Sequence, residues 1–97
     1  MIKSFREIDT EGLFDGRDIK QARKSRPPDL VRAAGRKLDQ LNQAEVLGDL
    51  RAPPSNRLEK PKGEREGQYS IRINDQWRVC FQWTEAGAED VEIVDYH

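Results

Sequence analysis

In the run Gln68-Tyr69-Ser70-Ile71-Arg72-Ile73-Asn74-Asp75-Gln76-Trp77-Arg78-Val79-Cys80-Phe81-Gln82-Trp83-Thr84, large apolar residues alternate with smaller or polar ones on both sides of a polar centre. Tyr69, Ile71 and Ile73 form one apolar series and Trp77, Val79, Phe81 and Trp83 the other. A repeat of every second residue is the signature of half-buried strands. Asn74-Asp75-Gln76 supplies turn chemistry between them, so the run reads as an antiparallel hairpin. Closing it with a three-residue turn sets Ile73 opposite Trp77 and, in the same register, Arg72 opposite Arg78 on the polar side. A two-residue turn at Asn74-Asp75 would instead send the arginines to opposite faces.

Downstream, Glu85-Ala86-Gly87-Ala88 is a second turn and Val91 to Tyr96 a final strand. If Trp83 faces Val91, Tyr96 arrives opposite Arg78, and Arg72, Arg78 and Tyr96 form one constellation. Upstream, Ile2-Lys3-Ser4-Phe5 alternates as a short strand does. Asp9 and Thr10 are capping types ahead of Leu13 and Phe14, and Gly16 suits the end of a first, short helix. Residues 15–28 are polar, anchored only by Ile19 and Ala22, and read as a mobile loop. Pro27-Pro28 and Asp29 then open the main helix, whose apolar residues run Leu30, Val31, Ala34, Leu38 and Leu41 and on to Val46 and Leu47. Pro53-Pro54-Ser55-Asn56 ends it in a loop. The fold class is therefore α+β, with helices first and an antiparallel meander after, in a single domain spanning 1–97.

At 97 residues the chain has no room for two enzymatic domains. Hydrophobic residues are 35% and charged residues 36%, which leaves a lean core and favours a partner protein that covers more surface. No apolar run approaches the roughly 20 residues of a membrane span, and the start lacks a signal-peptide apolar stretch, so a cytoplasmic protein without membrane association is expected. With one cysteine, Cys80, and one histidine, His97, neither an internal disulfide nor a Cys/His zinc cluster is available. The chemistry is expected to need no metal and no cofactor.

The net charge of −1 conceals a gradient. After Thr84 the chain carries Glu85, Glu89, Asp90, Glu92 and Asp95 and no lysine or arginine, so the part before it is net positive by four. Basic residues cluster at Arg17, Lys20, Arg23, Lys24, Arg26, Arg32 and Arg36, and again at Arg51, Arg57, Lys60, Lys62 and Arg65. Phosphate contacts reward such local charge, although a solvated surface has the same composition. Two arginines forced together across a hairpin either take an anion, which the guanidinium fork suits, or pair with Asp75, Glu92 or Asp95. Lys60, Lys62 and Arg65 lie in a loop with Pro61, Gly63 and Gly67. His97 titrates near neutral pH and suits proton transfer, or is a frayed end. Trp77 and Trp83 fall on the apolar side as core, and Cys80 is a small packing residue.

Arg57-Leu58-Glu59, Lys62-Gly63, the segment Gly67 to Arg78 and Val91-Glu92-Ile93-Val94-Asp95-Tyr96-His97 together closely resemble the HigB group of RelE-like toxins, the plasmid-maintenance killer proteins. The likeness covers almost the whole chain. It implies a compact RelE-like fold with two helices packed on one face of a small mixed, mostly antiparallel sheet. It also implies a type II toxin that cleaves translated messenger RNA on the ribosome, a helix-turn-helix (HigA-like) antitoxin, and binding of operator DNA by the toxin–antitoxin complex. By the same resemblance Arg78 stabilises the pentavalent phosphate, while Lys62 and Arg72, with Lys60 and Arg65, hold phosphates. His97 is then the leading acid or base, Tyr96 orients or stacks on the nucleotide, and Asp95 positions its neighbours. Some relatives carry a histidine where this chain has Glu59, so Glu59 is a second candidate base. Two other readings share the fold: a ParE-like gyrase poison, and a non-catalytic module that only binds its antitoxin.

Overall fold

The computed structural model describes residues 1–6, 28–60 and 67–95. Its centre is a three-stranded antiparallel sheet of β1 (Gln68–Arg72), β2 (Trp77–Thr84) and β3 (Gly87–Asp95), in that spatial order. The first hairpin has the three-residue form. Ile73 N–H donates to the Trp77 carbonyl at 2.9 Å, and Arg72 pairs with Arg78. Asn74 fixes the turn, because its Oδ1 accepts from the Gln76 and Trp77 amides, both at 2.9 Å.

The second hairpin turns on Glu85 and Ala86, with Thr84 paired to Gly87. β3 therefore begins four residues before the expected Val91, and the register differs from the anticipated one: Trp83 pairs with Ala88 and Arg78 with Val94. The physical reason is the tight turn, which pairs Thr84 with Gly87 and so starts β3 early; a bulge beyond it then shifts the register by one residue. The register shifts between Cys80 and Gln82, and Asp90 takes a left-handed φ of 53°, its amide held by Ser4 Oγ at 2.9 Å. The extra residue lets both Ala88 and Val91 point into the core, which strict alternation forbids.

Both sheet edges carry a further extended segment. Ile2 and Phe5 bridge Ala88 and Val91 in parallel, and Glu59 bridges Ser70 antiparallel, with two backbone hydrogen bonds of 2.8 and 2.9 Å. The ladder is thus mixed and mostly antiparallel. The close approach of the first segment depends on Gly87, which sits at φ 131° with the Met1 carbonyl where a Cβ would stand.

One helix is described, α1 (Pro28–Gln43). Leu30, Ala34, Leu38 and Leu41 recur every three or four residues and are buried, and the last three pack with Ile71, Val79, Phe81, Val91 and Ile93 in one core. The helix stops before Val46, shorter than the apolar pattern predicts. The Ala44 amide is shared between the Gln40 and Leu41 carbonyls, and Asp49 Oδ2 accepts from the Glu45 and Val46 amides, restarting the chain as a 3₁₀ turn over Leu47–Arg51. Val46 is left exposed while Leu50 enters the core. The expected first helix near residues 9–16 lies outside the described residues. So does the expected mobile loop 15–28 up to position 27, whereas Pro28 opens α1.

Asn56, in a short 3₁₀ turn (Pro54–Asn56), is fully buried and ties the helix to the loop that follows it. Its amide donates to Gln40 Oε1, the Leu50 carbonyl and the Ala52 carbonyl at 3.1 to 3.3 Å, and its oxygen accepts from Lys37 Nζ at 2.5 Å. Burial, with repulsion from Arg36, lowers the Lys37 pKa below its ordinary value.

Asn56→Ala leaves these buried carbonyls and the lysine without a partner, so urea unfolding should show a loss of about 2 kcal/mol. Gly87→Ala should cost about 1 to 3 kcal/mol by the same measurement, through steric conflict and its positive φ.

Candidate functional site

Antiparallel partners share a face, so the pairs Arg72–Arg78 and Ser70–Cys80 stand side by side on the side of the sheet away from α1. Like charges directly opposite one another repel. Here the repulsion is met by groups brought in from the sheet edge and the turn. The Glu59–Ser70 bridge sets Glu59 on the same face, with its Oε2 3.7 Å from Arg78 Nη2. Asp75, in the hairpin turn, pairs with Arg72 Nη2.

Arg78 does not stand out from the sheet as a polar face would suggest; its side chain is only 9% exposed. It lies back over Ser70, donating from Nε to Ser70 Oγ at 2.9 Å and from Nη2 to the Ser70 carbonyl at 3.3 Å. Nη2 also donates to the Arg57 carbonyl at 2.5 Å. That carbonyl is aimed by backbone geometry: Arg57 has φ 43° and ψ 60°, left-handed, directly after Asn56. A buried cation with this many acceptors is fixed in direction before any ligand arrives. Ser70 and Cys80 are buried beneath it, which agrees with Cys80 as a packing residue.

Arg57, Glu59, Arg72, Asn74, Asp75 and Arg78 surround an open cleft of about 300 Å³ at the first-hairpin end of the sheet. Three arginines against two carboxylates leave its lining with a net positive charge, which attracts anions. Among the sequence-nominated residues, the structure brings Arg72, Arg78 and Glu59 together here. Lys60 follows Glu59 and is exposed. Asp95 lies at the same end of the sheet but on the other face, opposite Trp77, where it accepts from Gln76 Nε2 at 3.0 Å. Lys62, Arg65, Tyr96 and His97 lie outside the described residues.

Three contributors escaped the sequence reading as site residues. Ser70 was legible in principle, being two positions from Arg72 on the same face. Asn74, a turn former by residue type, also lines the cleft. The Arg57 carbonyl carries no sequence signal, because its role comes from a backbone conformation.

The chain is similar to proteins of one known family. A family model described as HigB-like toxin, the RelE-like toxin of type II toxin-antitoxin system HigB, matches residues 3–97. Toxin HigB-1 of Vibrio cholerae is 44% identical over 62 residues, 64% of this chain and 65% of that one. An uncharacterized protein of Haemophilus influenzae is 39% identical over 57 residues, 59% of this chain and 56% of its own length. The matched part thus spans less than two thirds of either relative. Endoribonuclease HigB of Proteus vulgaris is 31% identical over 97 residues, the whole of both chains. Matched along nearly all of its length, the chain belongs to the HigB-like family of RelE-like type II toxins.

Proposed function

We propose that the chain is a single-domain type II toxin that cuts translated messenger RNA on the ribosome, by attack of the ribose 2′-hydroxyl on the adjacent phosphate. The observation that carries this reading is the cross-strand pair Arg72–Arg78 beside Glu59 in an open cleft. It occurs in a chain of the HigB-like family, one full-length relative of which is named an endoribonuclease.

In this reaction a base takes the 2′-hydroxyl proton and O2′ bonds to phosphorus. The P–O5′ bond breaks, an acid protonates O5′, and the products are a 2′,3′-cyclic phosphate and a 5′-hydroxyl. Negative charge accumulates on the non-bridging oxygens midway. A cation already fixed and partly shielded from water stabilises that charge without reorganising, and Arg78 has this character. Arg72 is the more accessible of the two and suits the incoming phosphate, with Lys60, Lys62 and Arg65 supplying charge along the flanking backbone.

Proton transfer falls to His97, with Glu59 as the alternative base that faces the same cleft as Arg78. An imidazole is well matched to proton transfer at neutral pH. Tyr96 is assigned to orienting the nucleotide, and Asp95, held through Gln76, to placing the two residues that follow it. The partners under this reading are the ribosome and its messenger RNA, and a HigA-like helix-turn-helix antitoxin with which the toxin binds operator DNA. The site of action is the cytoplasm. No helix of the described residues is long and apolar enough to cross a membrane.

The test maps 5′ ends of a defined messenger RNA in a purified translation system, with and without ribosomes. Wild type should give in-frame cuts only when ribosomes are present. His97→Ala should slow cutting by about 10²- to 10⁴-fold, the range for one acid–base group. Arg78→Ala should reduce it comparably, and purified antitoxin should still bind both variants. Cuts without ribosomes, or none from wild type that binds its antitoxin, would overturn the reading, and gyrase-dependent DNA damage would then point to the ParE-like alternative.

Arg78→Lys keeps the charge but cannot reach Ser70 Oγ, the Ser70 carbonyl and the Arg57 carbonyl together. Cleavage by this variant should fall at least tenfold, with the change in kcat and not in KM. A wild-type kcat would show that charge alone suffices.

A further inference from the structure

The two arginines of the cleft are held in different ways. Arg78 is buried and engaged by Ser70 and the Arg57 carbonyl. Arg72 is three times as exposed, 28% against 9% for the side chains, and the partner resolved for its guanidinium is the Asp75 carboxylate. Asp75 is itself 97% exposed, at the tip of the hairpin and three residues along the chain. It is not needed to form the turn, because Asn74 Oδ1 takes the Gln76 and Trp77 amides and Ile73 N–H takes the Trp77 carbonyl. A hydrated carboxylate on a short tether, lining the same cleft as the arginine it neutralises, occupies the place a phosphate oxygen would take.

We infer that Asp75 is an internal stand-in for RNA phosphate: it holds Arg72 oriented and neutralised in the free toxin and is displaced when the substrate backbone enters the cleft. This rests on the RNA-cleaving reading above and adds a residue that sets how tightly, and at what salt, the cleft takes RNA. An exposed ion pair is weak, so displacement is easy. It still removes one effective positive charge from the free surface, so binding by the wild type releases fewer counter-ions than the count of arginines implies. No covalent change is involved.

The experiment uses the whole toxin and a fluorescent single-stranded RNA oligonucleotide methylated at every 2′-oxygen. This probe presents phosphates and bases but cannot be cut by 2′-hydroxyl attack. Anisotropy is followed across a salt titration for wild type, Asp75→Asn, Arg72→Gln and the double variant. Glu85→Gln, an exposed position in the other hairpin turn, controls for the loss of one negative charge at the far end of the sheet. Asp75→Asn should bind about two- to fivefold tighter, the range set by an exposed ion pair. Its plot of log affinity against log salt should steepen by up to about 0.7. Arg72→Gln should weaken binding and abolish the gain from Asp75→Asn, and Glu85→Gln should give a smaller change than Asp75→Asn. The inference is overturned if Asp75→Asn binds no tighter than Glu85→Gln, or if the gain survives in the Arg72→Gln background. When either result accompanies weaker binding by Arg72→Gln alone, the nuclease reading stands and only the role of Asp75 falls. If Arg72→Gln binds the RNA as well as wild type, the role of Asp75 falls together with the assignment of Arg72 to the incoming phosphate.

Discussion

Arg72 and Arg78 are set directly across an antiparallel pair, and the two like charges are offset by Asp75, Glu59, Ser70 and the Arg57 carbonyl. The three-residue turn, pinned by Asn74, fixes the register that makes them neighbours. A one-residue slip would put them on opposite faces and send the apolar series of one of the two strands to solvent. The core therefore enforces the charge pair: Ile71 and Val79 are fully buried, so burying them dictates where Arg72 and Arg78 must lie.

The compensating groups come from two parts of the chain, the segment 57–59 and the first hairpin turn. Glu59 arrives by adding a bridge to the edge of β1, Asp75 arrives with the turn, and the Arg57 carbonyl arrives through a left-handed residue that follows a buried asparagine. That asparagine connects the site to the rest of the molecule. Asn56 is bonded to Lys37 and Gln40 of α1, so the helix that packs on one face of the sheet also stabilises the loop that caps the arginine on the other. Rigid support of this kind is what a site acting by electrostatic stabilisation needs, because a cation free to follow its ligand gives up part of its advantage to reorganisation.

Much of this was legible in the residues. Alternation on either side of Asn74-Asp75-Gln76 identifies the hairpin, its face assignment and the arginine pair, because burial enforces a period of two. Family likeness in Gly67 to Arg78 and in the last seven residues adds the expected chemistry. What could not be read depends on backbone detail. The tight turn at Glu85 and Ala86, followed by the bulge at Asp90, sets the register of β3, so Val94 and not Tyr96 lies opposite Arg78. The helix ends early because Asp49 caps a new turn, although Val46 and Leu47 continue the apolar pattern. The burial of Arg78 was also out of reach, since a charged side chain on a polar face is ordinarily solvated; here its acceptors are two carbonyls and a hydroxyl whose positions depend on tertiary contacts.

The central claim is that Arg72 and Arg78 act as one phosphate-holding unit. The direct test is a double-mutant cycle on single-turnover cleavage of ribosome-bound messenger RNA, using Arg72→Gln, Arg78→Gln and the pair. A shared phosphate predicts strong non-additivity: the double variant should be little slower than Arg78→Gln alone, with a coupling of about 1 kcal/mol or more. Losses that simply add would show two arginines working independently, and the account of a single site built on their pairing would be wrong.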